Sequence, residues 1–320
     1  MTAKIALALL LAASAGYSWD EIKGVMIMQG FAGLSLFSIF LLMALGLAII
    51  FGQMKVINMA HGEFLTMGAY TTVFLSWLCE SYAPGLLAWY FPVAMILAFF
   101  VAGSVGFLVE FAIIRHLYKR PLDTLLATWG LSMILQETFR QIAGARETSA
   151  TMPEWLMGSL QPFEGVDIPI NGIFLLGASL VLTVIVVINL YYTRSGLRVR
   201  ATVMNRDMAG AVGINTRMTD RMTFALGCGI AGVAGAAFTT VGSISPSAGG
   251  LYIVDTFMVV VFGGAGSIIG TILAAFGIAQ AQSVLEFFLS GVLAKVAVLL
   301  AVVFILMIRP QGLVVAKIRK

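Results

Sequence analysis

Three polar residues with useful hydrogen-bonding and acid-base chemistry fall within six positions, in the segment "KVINMAHGEFLTMGAY". They are Asn58, His61 and Glu63, and His61 is one of only two histidines in the 320-residue chain. Apolar runs flank the segment, and polar side chains in a membrane helix usually face a bundle interior or an aqueous path. The pattern favours two compatible interpretations: a helix start near Gly62 that Glu63 stabilises through the helix dipole, and a broken backbone that lines a substrate path.

A second polar set occurs in "TWGLSMILQETFRQ", where Trp129, Ser132, Gln136 and Arg140 are three or four positions apart. This spacing places them on one helical face. Such a face either seals a helix contact with hydrogen bonds or lines a pore. Asp255 stands alone in an apolar run and is either path-lining or an interfacial cap. The predicted substrate path comprises Asn58, His61, Glu63, Trp129, Ser132, Gln136 and Asp255.

A basic segment, "RSGLRVRATVMNRDMAGAVGINTRMTDR", predicts a short amphipathic helix within residues 198–216. Its apolar residues cluster on one side, away from Arg200 and Arg206. The helix either lies on anionic lipid or docks into a groove of a cytoplasmic partner. The candidate docking residues are Val203, Met204, Met208, Ala211, Val212 and Gly213.

The elements that carry these residues are predicted to be membrane helices. The chain is 60% hydrophobic and only 11% charged, and its mean hydropathy is +1.00. Uncharged stretches such as 24–54 and 256–285 exceed the roughly 20 apolar residues that one spanning helix needs, and they do not alternate as barrel strands do. We therefore expect an all-α fold, a polytopic transmembrane helix bundle of about eight spans with glycine-broken helices.

The distribution of positive charge predicts the orientation of this bundle. Of the 19 lysines and arginines, 13 fall in three groups, at 115–120, 194–221 and 309–320, and short basic loops favour the cytoplasm. The acidic, proline-containing loop 144–171 should face outward and be irregular, and the C-terminus should be cytoplasmic. Within 253–289, "GGAGS" interrupts a run that is too short for a comfortable span.

The N-terminal residues differ from the rest of the chain. Lys4, a short apolar run and Ala13-x-Ala15 before Gly16 form the pattern of a secretory signal peptide. The predicted division is a signal peptide at 1–15 and one transmembrane domain at 16–320. The alternative is an uncleaved first anchor.

Several function classes do not fit the sequence. The phosphate-cradling pattern G-x-x-x-x-G-K-[ST] is absent, as are a metal-ligand cluster and the pattern of a serine-histidine-aspartate site. Two cysteines cannot build a disulfide framework, and we expect Cys79 and Cys228 to be buried free thiols. The chain is not expected to be an enzyme, to bind a cofactor or a metal, or to recognise nucleic acid.

Five segments carry a resemblance to a known family. "VINMAHGEFLTMGAY", "TLLATWGLSMILQ", "AGAVGINTRMTDRMTFALGCGIAGVAGA", "YIVDTFMVVVFGGAGSIIGT" and "RPQGL" resemble, in order, the membrane subunits of bacterial branched-chain amino acid and urea ABC importers. The segments "ATWGLSMILQ" and "YIVDTFMVVVFGGAGS" look most like the urea permease subunit. The basic loop departs from the Glu-Ala-Ala pattern common in ABC permeases, because it reads "RDMAGAVGI".

The resemblance implies an inner-membrane subunit that forms the path for urea. Its implied partners are a second homologous permease subunit, two cytoplasmic ATPase subunits that bind ATP, and an extracytoplasmic solute-binding protein. It also favours the docking interpretation of the basic loop. A branched-chain amino acid importer is the first alternative. A passive urea or ammonium channel, and a proton-coupled transporter in which His61 and Glu63 form a relay, are two others.

Overall fold

The computed structural model describes residues 19–118, 120–163, 166–264 and 266–314. The predicted signal peptide at 1–15 lies outside these residues, as do the last three basic residues of the predicted cytoplasmic tail. The described part of the chain forms eleven α-helices and one β-hairpin. The helices are α1 (Trp19–Met54), α2 (His61–Tyr82), α3 (Tyr90–Ala112), α4 (Pro121–Ala143), α5 (Ile170–Tyr192), α6 (Arg194–Met204), α7 (Arg206–Ala211), α8 (Thr216–Phe238), α9 (Ala248–Gly263), α10 (Ile268–Phe288) and α11 (Gly291–Ile308).

Six of these helices are long and apolar enough to cross a membrane: α1, α3, α5, α8, α10 and α11. This confirms the predicted polytopic helical membrane bundle. Helices α2 and α4 have 22 and 23 residues, which at about 1.5 Å per residue is also a spanning length, but they are more polar. The count of about eight spans and the orientation of the bundle stay predictions.

The core of the bundle is built around α1, α2 and α8. Helix α8 packs against α1, α2 and α3, and α1 also contacts α5 and α10. Small residues bring α2 and α8 together so closely that a Cβ atom on Gly68 would lie 2.6 Å from the Cα atom of Gly232. Close backbone approach through small residues is the usual basis of helix packing in membranes, where apolar side chains gain little by leaving lipid.

The predicted break after α9 is confirmed. Gly264 has φ +99°, a left-handed conformation that glycine adopts without steric cost, and α10 then begins after Ser267. The Ser267 hydroxyl accepts a hydrogen bond of 3.1 Å from the Gly270 backbone N–H. The C-terminal segment crosses this break, because Leu313 N–H donates to the Phe262 carbonyl at 2.8 Å.

Two sequence expectations about loops were wrong in detail. The basic segment forms two helices instead of one, because extended Asn205 separates α6 from α7 and its side chain caps α7 by accepting from Met208 N–H at 3.0 Å. The loop 144–171, expected to be irregular, contains the antiparallel hairpin of β1 (Ser159–Phe163) and β2 (Val166–Pro169). Pro162 and Pro169 lie near the ends of these edge strands, where a missing N–H is tolerated, and Pro153 lies outside the hairpin.

Candidate functional site

The segment between α1 and α2 breaks the helix where the sequence predicted. Residues 55–60 are non-helical, and Lys55 has a positive φ of 51°. Asn58 is fully buried, and its side-chain oxygen accepts from Ala60 N–H at 3.1 Å. Helix α2 begins at His61 and carries Glu63 in its first turn. The predicted helix start is therefore confirmed, with Asn58 organising the turn that precedes it.

His61 joins the start of α2 to the middle of α1. It is fully buried, and its Nε2 atom lies 3.1 Å from the carbonyl oxygen of Met43. Because a carbonyl oxygen can only accept, Nε2 carries the hydrogen. Nδ1 has no hydrogen-bond partner among the described residues. The geometry makes His61 a helix-to-helix contact.

Glu63 joins α2 to α4 through its buried carboxyl group. The Oε1 atom accepts from Ser132 Oγ at 2.9 Å and from Gln136 Nε2 at 2.8 Å. Oε2 is buried and has no partner in the described part of the chain. The polar face of α4 therefore makes the hydrogen-bonded helix contact that was one of its two interpretations. Its role in a substrate path stays a prediction.

The contact face of α4 is centred on Thr128, which the sequence analysis missed. Met59 N–H donates to Thr128 Oγ1 at 3.0 Å, and Thr128, Ser132 and Gln136 are four positions apart. The four-residue spacing of Thr128 from Ser132 was the signal in the sequence that could have identified it. Trp129 is 54% exposed, because it lies about 100° around the helix from Thr128. Trp129 and Arg140 therefore lie outside the buried contact that Ser132 makes, and Arg140 pairs with Glu137 on an exposed surface at 3.1 Å. The place of Trp129 in a substrate path stays a prediction.

Two further polar side chains of α2 share the face of Glu63. They are Thr66 and Tyr70, three and seven positions later, and neither hydroxyl has a hydrogen-bond partner within the described ranges. Thr66 is fully buried, and a Cβ atom added to Gly249 of α9 would lie 2.8 Å from its Oγ1 atom. The spacing of three and seven positions from Glu63 was the signal in the sequence that could have placed them on the same helix face. The result is a stripe of buried polar atoms where α2, α4 and α9 meet.

Asp255 lies apart from this stripe, in an ion pair between α9 and α11. Its Oδ2 atom is 2.6 Å from Lys295 Nζ, and the Asp255 side chain is buried. The Lys295 ammonium also lies 5.2 Å from the centroid of the Tyr252 ring. Asp255, which stands alone in its apolar run of the sequence, is therefore paired in space with a lysine 40 positions later. Its role as a path-lining residue or an interfacial cap stays a prediction.

The six candidate docking residues are all exposed, although they do not form one helix face. Val203 and Met204 end α6, Met208 and Ala211 lie on α7, and Val212 and Gly213 follow it. Helix α7 is held against the bundle by an ion pair between Arg206 and Asp220 of α8. Exposed apolar side chains on an anchored loop suit contact with another protein.

A buried charge cluster lies beside the ion pair that anchors α7. Glu110 of α3 is 1% exposed and accepts from Arg221 Nε at 3.0 Å and from the Tyr118 hydroxyl. The Arg206 guanidinium lies 5.2 Å from the centre of the Tyr118 ring. Burial, followed by the hydrogen bond to Glu110, raises the pKa of the Tyr118 hydroxyl, so this hydroxyl stays a donor at neutral pH. The sequence analysis did not single out Glu110.

The chemistry available in these clusters is hydrogen bonding and ion pairing. Within the described ranges, no three histidine, cysteine, aspartate or glutamate side chains converge as metal ligands would. Cys79 and Cys228 are buried free thiols, as predicted. The arrangement is one of polar groups placed between membrane helices.

Comparison with known proteins identifies the family. The family model described as "Branched-chain amino acid transport system / permease component" matches residues 30–308. The chain belongs to this family. Its members are permease components, so the chain is a transport subunit and not itself a catalytic one.

Named relatives agree over nearly the whole chain. The high-affinity branched-chain amino acid transport system permease protein LivH of Salmonella typhimurium is 26% identical over 292 residues, which cover 89% of this chain and 94% of the relative. The probable permease LivH of Methanocaldococcus jannaschii is 26% identical, with coverage of 86% and 88%. BraD of Pseudomonas aeruginosa is 27% identical, with coverage of 78% and 83%. No solved structure matches the chain.

Proposed function

We propose that this chain is a permease subunit of an ABC importer for branched-chain amino acids in a bacterial inner membrane. The observation that carries the proposal is the family match over residues 30–308, with relatives described as branched-chain amino acid permeases. These names favour the amino acid alternative over the urea path that the sequence resemblance suggested.

Family membership also supports the expected partners. They are a second related permease subunit, two cytoplasmic ATPase subunits and an extracytoplasmic solute-binding protein. ATP binds to the ATPases, and this chain needs no cofactor of its own. The exposed apolar residues of α6 and α7 are the proposed ATPase contact. The ion pair of Arg206 with Asp220 joins α7 to α8, so a movement of the ATPase against α7 would be transmitted to α8.

The stripe on α2 supplies groups that suit an α-amino acid. An ammonium group needs an acceptor, for which Glu63 Oε2 is unused, and a carboxylate needs donors, for which the Thr66 and Tyr70 hydroxyls are unused. Side chains three positions apart on a helix are about 5–6 Å apart at their Cβ atoms, so one amino acid can reach both Glu63 and Thr66. These groups are buried, and the proposal requires α4 to move aside for the substrate to enter.

Urea remains a second candidate because of the neutral character of the α4 contact. Ser132 and Gln136, which bond to Glu63, carry no charge, and no cationic side chain bonds to Glu63 in the described part of the chain. Urea has four N–H donors and one carbonyl acceptor, which Glu63 and Asn58 can satisfy. A proton relay receives less support, since His61 bonds to Met43 while Glu63 bonds to α4.

The test is uptake into proteoliposomes that contain the whole complex with its binding protein. We expect ATP-dependent uptake of labelled leucine that valine and isoleucine inhibit and urea does not. ATP-dependent uptake of urea without leucine would refute the amino acid proposal. The variant His61→Gln should keep substantial uptake; uptake driven by a pH gradient alone and abolished in this variant would refute the ABC class.

A further inference from the structure

A large groove opens between helices that do not carry the polar stripe. It has a volume of about 1260 Å³ and is bounded by α3, α5, α6, α8 and residues 212–215. One part of its wall is apolar and includes Phe99, Phe100, Phe107 and Leu108 of α3. The groove is open to the surroundings along α3, where Phe100 and Leu108 are largely exposed.

The other end of the groove is polar and carries a single charge. Asn189, Ser195, Asn215 and Thr219 line it together with the exposed Arg198, and no acidic residue among those described contributes to the wall. Arg198 makes no ion pair with any described residue, unlike Arg206 and Arg221 of the neighbouring cluster. An unneutralised guanidinium among hydroxyl and amide donors is complementary to an anion.

The dimensions of the groove match one leaflet of a bilayer. From Phe99 to Leu108 the wall follows ten residues of α3, whose nine helical steps of about 1.5 Å give roughly 14 Å. Half of a hydrocarbon core is about 15 Å. The apolar wall therefore extends from the polar end near Arg198 to about the middle of the membrane, and a helix of a protein partner that crossed the membrane would need twice this length.

We propose that this groove binds one phospholipid with an anionic headgroup. The phosphate contacts Arg198 at the mouth, and the acyl chains lie along Phe100 and Phe107. Basic pockets between membrane helices on the cytoplasmic side bind anionic headgroups in this way, and Arg198 lies in the loop that the charge distribution assigns to that side. Val212 and Gly213 line the same groove, so the lipid also supports the loop that carries the proposed ATPase contact.

The test measures which lipid the full-length chain retains when it is purified in its complex. The complex is exchanged into mild detergent with equal amounts of phosphatidylglycerol and phosphatidylcholine, and bound lipid is identified by native mass spectrometry. We expect the wild type to retain phosphatidylglycerol. Arg198→Gln should lower that retention about tenfold, which corresponds to about 1.4 kcal/mol, because the variant loses a charge-assisted hydrogen bond to the phosphate.

Two further variants make the result specific. Arg217→Gln removes an exposed arginine that does not line the groove, and it should leave retention unchanged. Ser104→Trp places bulk in the groove from an exposed lining position and should lower retention of both lipids. Equal retention of the two lipids by the wild type, or unchanged retention in Arg198→Gln, would overturn the proposal. Efficient crosslinking of Ser104→Cys to a partner subunit would also overturn it, since a protein would then fill the groove.

Discussion

Replacing Arg221 alone should destabilise the protein far more than replacing it together with Glu110. Glu110 is 1% exposed, and the ion pair with Arg221 Nε at 3.0 Å and a hydrogen bond from Tyr118 are its contacts in the structure. The variant Arg221→Met keeps most of the apolar contact with Phe107 and Phe111 but removes the charge. A buried carboxylate then remains with one neutral donor.

The expected magnitude follows from the burial of the pair. Removing one partner of a buried ion pair costs about 3–5 kcal/mol, because the remaining charge stays desolvated, whereas replacing both is often nearly neutral. In Glu110→Gln/Arg221→Met, the glutamine oxygen still accepts from Tyr118. The cation–π contact of Arg221, 4.7 Å from the Phe111 centroid, is lost in both variants. We therefore expect the double variant to lose only about 1–2 kcal/mol.

The measurement is denaturant-induced unfolding of the full-length chain in detergent micelles, followed by tryptophan fluorescence. Arg140→Met is the matched control, because Arg140 and Glu137 form an ion pair at 3.1 Å in which both side chains are about half exposed. Exposed pairs contribute about 0–1 kcal/mol. Equal destabilisation in the single and double Arg221 variants, or a single variant no worse than the control, would refute the desolvation argument.

Two other predictions concern packing and partner contact. Gly249→Ala places a Cβ atom 2.6 Å from the Gly62 carbonyl carbon, so it should lower the free energy of unfolding by about 1–3 kcal/mol. Gly130→Ala, at a helical position with open space around it, should raise that free energy by about 0.5–1 kcal/mol in the same assay. Met208→Asp changes an exposed side chain of α7 and should leave membrane insertion intact while reducing co-purification of the ATPase subunits and transport. Normal co-purification and transport in that variant would exclude Met208 from the contact.

The fold was predictable because its main signals are local. Apolar runs of spanning length define membrane helices, and the glycines of "GGAGS" define a break that the structure places after Gly263. The two helices of the basic loop were not separated, because the apolar periodicity continues across Asn205. Capping by a single asparagine side chain decides that boundary, and periodicity does not register it.

The candidate site was predictable only in part, because its partners are distant in sequence. Asn58, His61 and Glu63 attracted attention as polar residues in an apolar setting, and all three are buried. Asn58 bonds within its own turn, but the partner of His61 is a carbonyl of α1 and the partners of Glu63 are side chains of α4 some 70 positions away. Helical spacing identified Ser132 and Gln136, but it grouped them with the exposed Trp129 and missed the buried Thr128. Residues three or four positions apart spread over a broad face of a helix, and a single neighbouring helix buries only part of that face.

The contact between α2 and α4 rests on side chains and not on close backbone approach. Among the helices, α4 packs chiefly against α2. The contact is made by hydrogen bonds from Met59 N–H, just before α2, to Thr128 and from Ser132 and Gln136 to Glu63, and by the rings of Tyr70 and Phe139, whose centroids are 5.5 Å apart. Hydrogen bonds between membrane helices average about 0.6 kcal/mol, so three of them amount to roughly 2 kcal/mol. The backbone contacts of Gly62 and Gly68 instead fix the other side of α2 to α8 and α9. Close backbone contacts thus hold α2 against α8 and α9, and the buried polar atoms that lack partners lie between the α9 contact and the hydrogen-bonded α4 contact. A substrate that supplied hydrogen bonds to Glu63 and Thr66 would replace those that α4 gives up.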